Sequence, residues 1–223
     1  LYSEAGNTAR MVAEYRRLMA TEPEEVAWVE GLAQHRMESG DRAGALEVWG
    51  EFIARNRRAH TLLAGAEALF RFGFDELALA AARRAAGSEP DSAADALLFC
   101  FELHFRRGDT AAAEAVLAQM DREFPADAPR RVDLADAYER IRQPATALAV
   151  LERLDRSRAG GLGMDERMRM AWLYDSVGRR DQAFEVWKAL WNEEANDAAR
   201  RLIEDRLLTL GAETGRLGDL AVE

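Results

Sequence analysis

A turn signal that recurs at a nearly fixed interval constrains this fold more than any other feature of the sequence. Glycine closes an apolar helical run at Gly40, Gly73, Gly108 and Gly178, and Arg142 stands in the equivalent place, so the steps are 33, 35, 34 and 36 residues. Five residues after each stop stands an alanine: Ala45, Ala78, Ala113, Ala147 and Ala183. Nine residues before those alanines stand Arg36, Leu69, His104, Tyr138 and Tyr174. A frame that holds along the whole chain predicts one supersecondary unit, repeated.

Each unit reads as two helices, such as 27–39 and 43–55, joined by a Gly-Asp turn. Glycine supplies the left-handed conformation just past the first helix, where a Cβ would be strained. Asp41, Asp75, Asp109 and Asp181 then fall at or near the N-cap of the second helix, where a carboxylate accepts a free backbone N–H. Pro23, Pro90 and Pro125 are expected to end second helices, because proline cannot continue one. The segment 156–163, with Gly160, Gly161 and Gly163, breaks the rhythm and reads as a flexible linker. Its glycines match neither dinucleotide-binding nor P-loop spacing.

Composition agrees. The 223 residues hold 43 Ala against 20 Val, Ile and Thr together, which favours helix and starves a sheet. At 48% apolar and 31% charged the chain has enough core to fold, and no window reaches the roughly 18 apolar residues of a membrane span. A net charge of −10 disfavours nucleic acid as a partner. Leu1-Tyr2-Ser3-Glu4 shows neither an initiator Met nor an apolar leader, and second-helix residues Gly6, Met11, Tyr15, Leu18 and Pro23 open the chain midway through a unit. The expectation is a segment of a longer protein with more repeats on each side. Lys188 is the single lysine, a bias that points to a GC-rich bacterial origin.

The frame resembles the tetratricopeptide repeat, whose unit of about 34 residues places small residues where paired helices cross. First-helix crossing positions are Ala33, Ala66, Ala135 and Ala171, with Phe101 as a departure; second-helix positions are the five alanines above, followed four residues on by Trp49, Ala82, Leu117, Leu151 and Trp187. The resemblance implies an all-α, right-handed solenoid of antiparallel helix pairs. Its divisions are a half repeat at 1–26, full repeats at 27–58, 59–92, 93–127, 128–160 and 161–197, and a partial repeat at 198–223.

No constellation for catalysis or metal binding is expected, and no cofactor. His35, His60 and His104 fall in three different units, and Cys100, the single cysteine, sits in the apolar run Leu97-Leu98-Phe99-Cys100-Phe101, which predicts a buried, unreactive thiol. Trp49 and Trp187 share a core position of the frame. The resemblance instead directs attention to the outward face of the first helices, the family's concave groove. The rows there read Glu30, Leu63, Leu98, Val132, Met168; Gln34, Glu67, Glu102, Asp136, Trp172; Met37, Phe70, Phe105, Glu139, Asp175; and Glu38, Arg71, Arg106, Arg140, Ser176. Apolar, acidic, aromatic and basic stripes would run side by side. Pairs Glu67–Arg71, Glu102–Arg106 and Asp136–Arg140 have the i,i+4 spacing at which opposite charges meet on a helix. The family's carboxylate clamp uses Lys and Asn, which these rows lack.

A non-catalytic scaffold follows as the expected function, its groove holding a segment of a partner protein within a bacterial assembly. The alternative is a region resembling the periplasmic repeats of exopolysaccharide-export proteins, which dock a polymer-modifying enzyme. There the acidic and aromatic rows would guide a cationic polysaccharide, and the compartment would be the periplasm. One cysteine is equally compatible with the cytoplasm.

Overall fold

A computed structural model describes residues 2–125, 127–193 and 197–220. They form twelve α-helices, a closing 3₁₀ turn at Leu217–Leu220 and, among the described residues, no strand. The helices are α1 Tyr2–Thr21, α2 Val26–Glu38, α3 Arg42–Arg55, α4 Ala59–Arg71, α5 Asp75–Ala86, α6 Pro90–Arg106, α7 Thr110–Glu123, α8 Ala128–Arg140, α9 Pro144–Ser157, α10 Met164–Ser176, α11 Arg180–Glu193 and α12 Asp197–Thr214.

The periodic turn is the same structure five times. Gly40, Gly73, Gly108 and Gly178 have φ of +81°, +71°, +71° and +78°. The N–H of each turn residue donates to the carbonyl three back, as Gly40 does to Met37 at 3.0 Å, and the next N–H donates to the carbonyl five back, as Asp41 does to Arg36 at 2.8 Å. This Schellman arrangement satisfies the last carbonyls of the first helix and reverses the chain into the second. Arg142 adopts it too, at φ +60°, with Arg142 N–H on Glu139 O at 2.8 Å and Gln143 N–H on Tyr138 O at 2.9 Å. A left-handed residue bearing a Cβ is strained by roughly 1–2 kcal/mol. Arg142→Gly is therefore expected to stabilise the chain by about 1 kcal/mol, read as a higher urea midpoint. A lowered midpoint would show that the arginine side chain outweighs its backbone strain.

Asp41 and Asp109 cap their helices, accepting the N–H groups of Gly44 at 2.8 Å and Ala112 at 3.1 Å. Asp75 and Asp181 lie one and two residues further in, inside the first turns of α5 and α11, where their charge favours the helix dipole without capping it. Pro23 and Pro125 follow the ends of α1 and α7, as expected. Pro90 is a correction, since α5 stops at Ala86 and the proline opens α6, a place where its missing N–H costs nothing. The 156–163 segment is also better held than a flexible linker. Leu162 is buried, its N–H donates to Asp155 Oδ1 at 3.0 Å, and Arg158 pairs with Glu166 at 3.2 Å.

The chain gathers into two compact units, Leu1–Val116 and Leu117–Glu223, with the division inside α7. In the first, each helix from α1 to α6 packs on the next, and the first helices also touch across pairs, α2 on α4 and α4 on α6. Ala33, Ala45, Ala66 and Ala78 are fully buried at the crossings, and the core around them holds Leu32, Trp49, Phe52, Leu62, Leu69 and Cys100. In the second unit α8 packs on α9, α9 on α10, α10 on α11 and α11 on α12. Ala135, Ala147, Ala171 and Ala183 are again fully buried, beside Leu134, Leu151, Phe184 and Trp187.

Candidate partner-binding face

In the first unit the outward face is built on α2, α4 and α6. Residues at i, i+4, i+7 and i+8 of a helix share one side, which on α4 aligns Leu63, Glu67, Phe70 and Arg71, and on α6 aligns Leu98, Glu102, Phe105 and Arg106. The apolar members are half-buried. Met37, Leu63 and Phe70 rest on the core with one side open. Phe70 meets Phe99 edge-on at 6.5 Å, with the Arg106 guanidinium 5.1 Å above its ring, and Phe105 stacks on Phe101 at 5.7 Å. The exposed Phe strip anticipated from spacing is thus a partly covered one, because α6 supplies aromatic and cationic neighbours to it.

Charge pairing on this face departs from the i,i+4 expectation. Glu102 and Arg106 do pair, at 2.5 Å. Arg71 instead reaches from α4 to Glu30 on α2, leaving Glu67. Gln34 donates to Glu38 at 2.7 Å. Glu67 is exposed and, among the described residues, has no hydrogen bond or ion pair. Between α2 and α4 lies an open cleft of about 470 Å³, lined by Glu30, Gly31, Gln34, Arg71 and Phe72.

The second unit carries Val132, Asp136, Glu139 and Arg140 on α8 and Met168, Trp172 and Asp175 on α10. Val132 and Met168 are half-buried, and Trp172 is 41% exposed. Here the acidic row is neutralised by arginines that stand outside the four rows. Arg169 of α10 pairs with both Asp136 and Glu139 of α8, the latter at 2.5 Å. Arg206 of α12 pairs with Asp175 at 3.1 Å and lies 3.7 Å above the Trp172 ring, whose edge meets Trp187 at 5.6 Å. A basic residue about one repeat after each acid was the available signal: Arg169 stands 33 residues after Asp136 and Arg206 stands 31 after Asp175.

Other side chains have structural roles. Burial pushes the Cys100 thiol up to about 11, so it stays protonated. His104 is buried on α6, and that burial holds its imidazole below the usual range, against the opposing pull of Asp109. Among the described residues no group of three His, Cys, Asp or Glu side chains is placed to hold a metal ion, and no helix is long and apolar enough to cross a membrane. Two further clefts lie off the predicted face. One, of about 690 Å³, opens between α3 and α5 over Leu46, Gly50 and Phe74; the other, of about 370 Å³, lies among α11, α12 and the 3₁₀ turn beside Trp191 and Leu208.

Helix pairs closed by one repeated turn and joined side by side define a helical-repeat protein. Residues 104–161 match the tetratricopeptide repeat, and the fold is that of tetratricopeptide-repeat structures. No curated protein matches the chain. The crystal structure of YrrB, described as a tetratricopeptide-repeat protein with an unusual peptide-binding site, is 18% identical, with a TM-score of 0.52 over 76% of this chain and 84% of that one. The Naa15/Naa10 structure bound to HypK-THB is 13% identical, with a TM-score of 0.58 over 92% of this chain and 32% of that one. The C-terminal part of a tetratricopeptide-repeat protein from Cytophaga hutchinsonii is 12% identical, with a TM-score of 0.51 over 93% and 92%. Such likeness carries the fold and nothing finer.

Proposed function

We propose that this chain is a non-catalytic scaffold that holds a segment of a partner protein on the outward face of its first helices, within a larger bacterial assembly. The observation that carries this reading is the half-open apolar strip of Leu63, Phe70 and Leu98, bordered by Glu67, Glu102, Arg71 and Arg106. Apolar side chains rimmed by charge supply pockets for anchors and a register for the segment between them. The reading agrees with two proteins that share the fold, YrrB, described with a peptide-binding site, and Naa15/Naa10, described as bound to HypK-THB.

A cationic polysaccharide fits this face less well. Charge would have to come from Glu67, Glu102 and Asp136 and stacking from Phe70, Phe105 and Trp172. Arg106 engages Glu102 and the Phe70 ring, Arg169 engages Asp136, Phe101 covers Phe105 and Arg206 covers the indole face, which leaves Glu67 as a single charge where a polymer needs a row. Selection of random linear peptides on phage against the immobilised chain tests the scaffold reading. Peptides that bind the chain and lose about tenfold or more on a Leu63→Ser/Leu98→Ser variant of unchanged circular dichroism would support it. Peptides that bind both proteins equally, or no enrichment at all, would overturn it.

A further inference from the structure

The charge arrangement on α2, α4 and α6 says what the segment carries, granted the scaffold reading above. Of the four glutamates in the rows of this face, three are already engaged by a neighbour on the same face. Glu30 is held by Arg71, Glu102 by Arg106, and Glu38 accepts from Gln34. Glu67 alone is exposed with no hydrogen bond or ion pair among the described residues. Its natural helical partner, Arg71, lies one turn away and is spent on Glu30. The other nearby cation, Arg106, is turned to Glu102 and to the Phe70 ring. Glu67 therefore projects an uncompensated negative charge from the middle of the apolar strip, with Leu63 one turn before it and Phe70 one turn after.

We infer that the face of the first unit binds a segment in which a lysine or arginine is flanked by large apolar residues, the cation meeting Glu67 while its neighbours cover Leu63, Phe70 and Leu98. An apolar strip alone attracts any greasy segment, and it is the single unpaired carboxylate that sets the sign. A basic residue there forms an ion pair beside Leu63 and Phe70, while an acidic residue meets only repulsion. The net charge of −10 acts in the same direction at longer range, drawing basic segments and repelling acidic ones.

The same displayed peptides test this directly. The expected enrichment is a Lys or Arg between apolar residues; synthetic copies should bind about tenfold or more weakly to Glu67→Arg and several-fold more weakly to Glu67→Gln. A copy with the basic residue changed to Glu should lose binding to the natural chain and regain it on Glu67→Arg, a reciprocal rescue that a folding defect does not produce. Circular dichroism of both variants should be unchanged, since Glu67 is a solvent-facing helical residue. Peptides that depend on Leu63 and Leu98 yet carry no basic residue, or that bind Glu67→Arg as well as the natural chain, would overturn this inference while leaving the scaffold reading intact. Absence of any Leu63- and Leu98-dependent peptide would overturn both.

Discussion

Asp121→Ala is expected to destabilise the chain by about 3–5 kcal/mol, because it strands a buried cation. Arg131, on α8, is 3% exposed, and its guanidinium pairs with Asp121 of α7. Arg153 of α9 grips the same carboxylate with one nitrogen at 2.9 and 3.1 Å from its two oxygens. One carboxylate therefore ties three consecutive helices, and only one of its two cations sits in water. Arg153→Ala removes a half-exposed partner and is expected to cost no more than about 1 kcal/mol. Asp121→Ala leaves Arg131 with nothing to balance its desolvation, and Asp121→Ala/Arg131→Met should recover most of the loss by removing the stranded charge as well. Urea unfolding of the three variants checks the order. A small effect of Asp121→Ala would mean that water reaches Arg131.

The same site sets an acid limit. Burial pushes the Asp121 carboxyl up, but the guanidinium groups of Arg153 and Arg131 outweigh it and hold the carboxyl below the usual carboxylate range. An aspartate ordinarily titrates near 3.9 in an unfolded chain. Its contribution is thus fully present above about pH 4 and is lost as pH falls through the lower folded value. Asp121→Asn should flatten that part of the stability profile.

The Asp121 network was invisible in the sequence, and the reason is the reach of arginine. Turn positions were legible because glycine, proline and N-cap aspartate act over two or three residues, and crossing positions were legible because only a small residue fits where helices touch. Even the exception showed, since Arg142 was identified as occupying a glycine's place and takes its conformation. An arginine side chain spans a helix turn or the gap to the next helix equally well. Spacing of four residues paired Glu67 with Arg71, yet Arg71 crosses to Glu30, Arg169 crosses to Asp136 and Glu139, and Arg206 crosses to Asp175. Those choices depend on interhelix register, which the length of each repeat leaves open. The coverage of Phe70 and Phe105 has the same origin, since Phe99, Phe101 and Arg106 reach them only once α4 and α6 lie together.

Trp49→Ala is expected to cost about 3–5 kcal/mol and to spend it unevenly along the chain. Trp49 is fully buried on α3 and meets Phe52 edge-on at 5.8 Å and Phe72 at 6.0 Å, so truncation leaves a void bounded by rings that cannot close over it. The frame-equivalent Trp187 on α11 is fully buried in the second unit against its own neighbours, Trp172 among them. In a repeat protein stability is close to a sum of units and nearest-neighbour interfaces, so a cavity at one repeat weakens that repeat and the ones touching it first. Hydrogen exchange of Trp49→Ala should show amides of α2 to α5 losing protection while those of α9 to α11 keep it, and Trp187→Ala should show the reverse. Uniform loss along the chain in both variants would mean that the two compact units unfold as one, and that the additive picture of the repeats does not apply here.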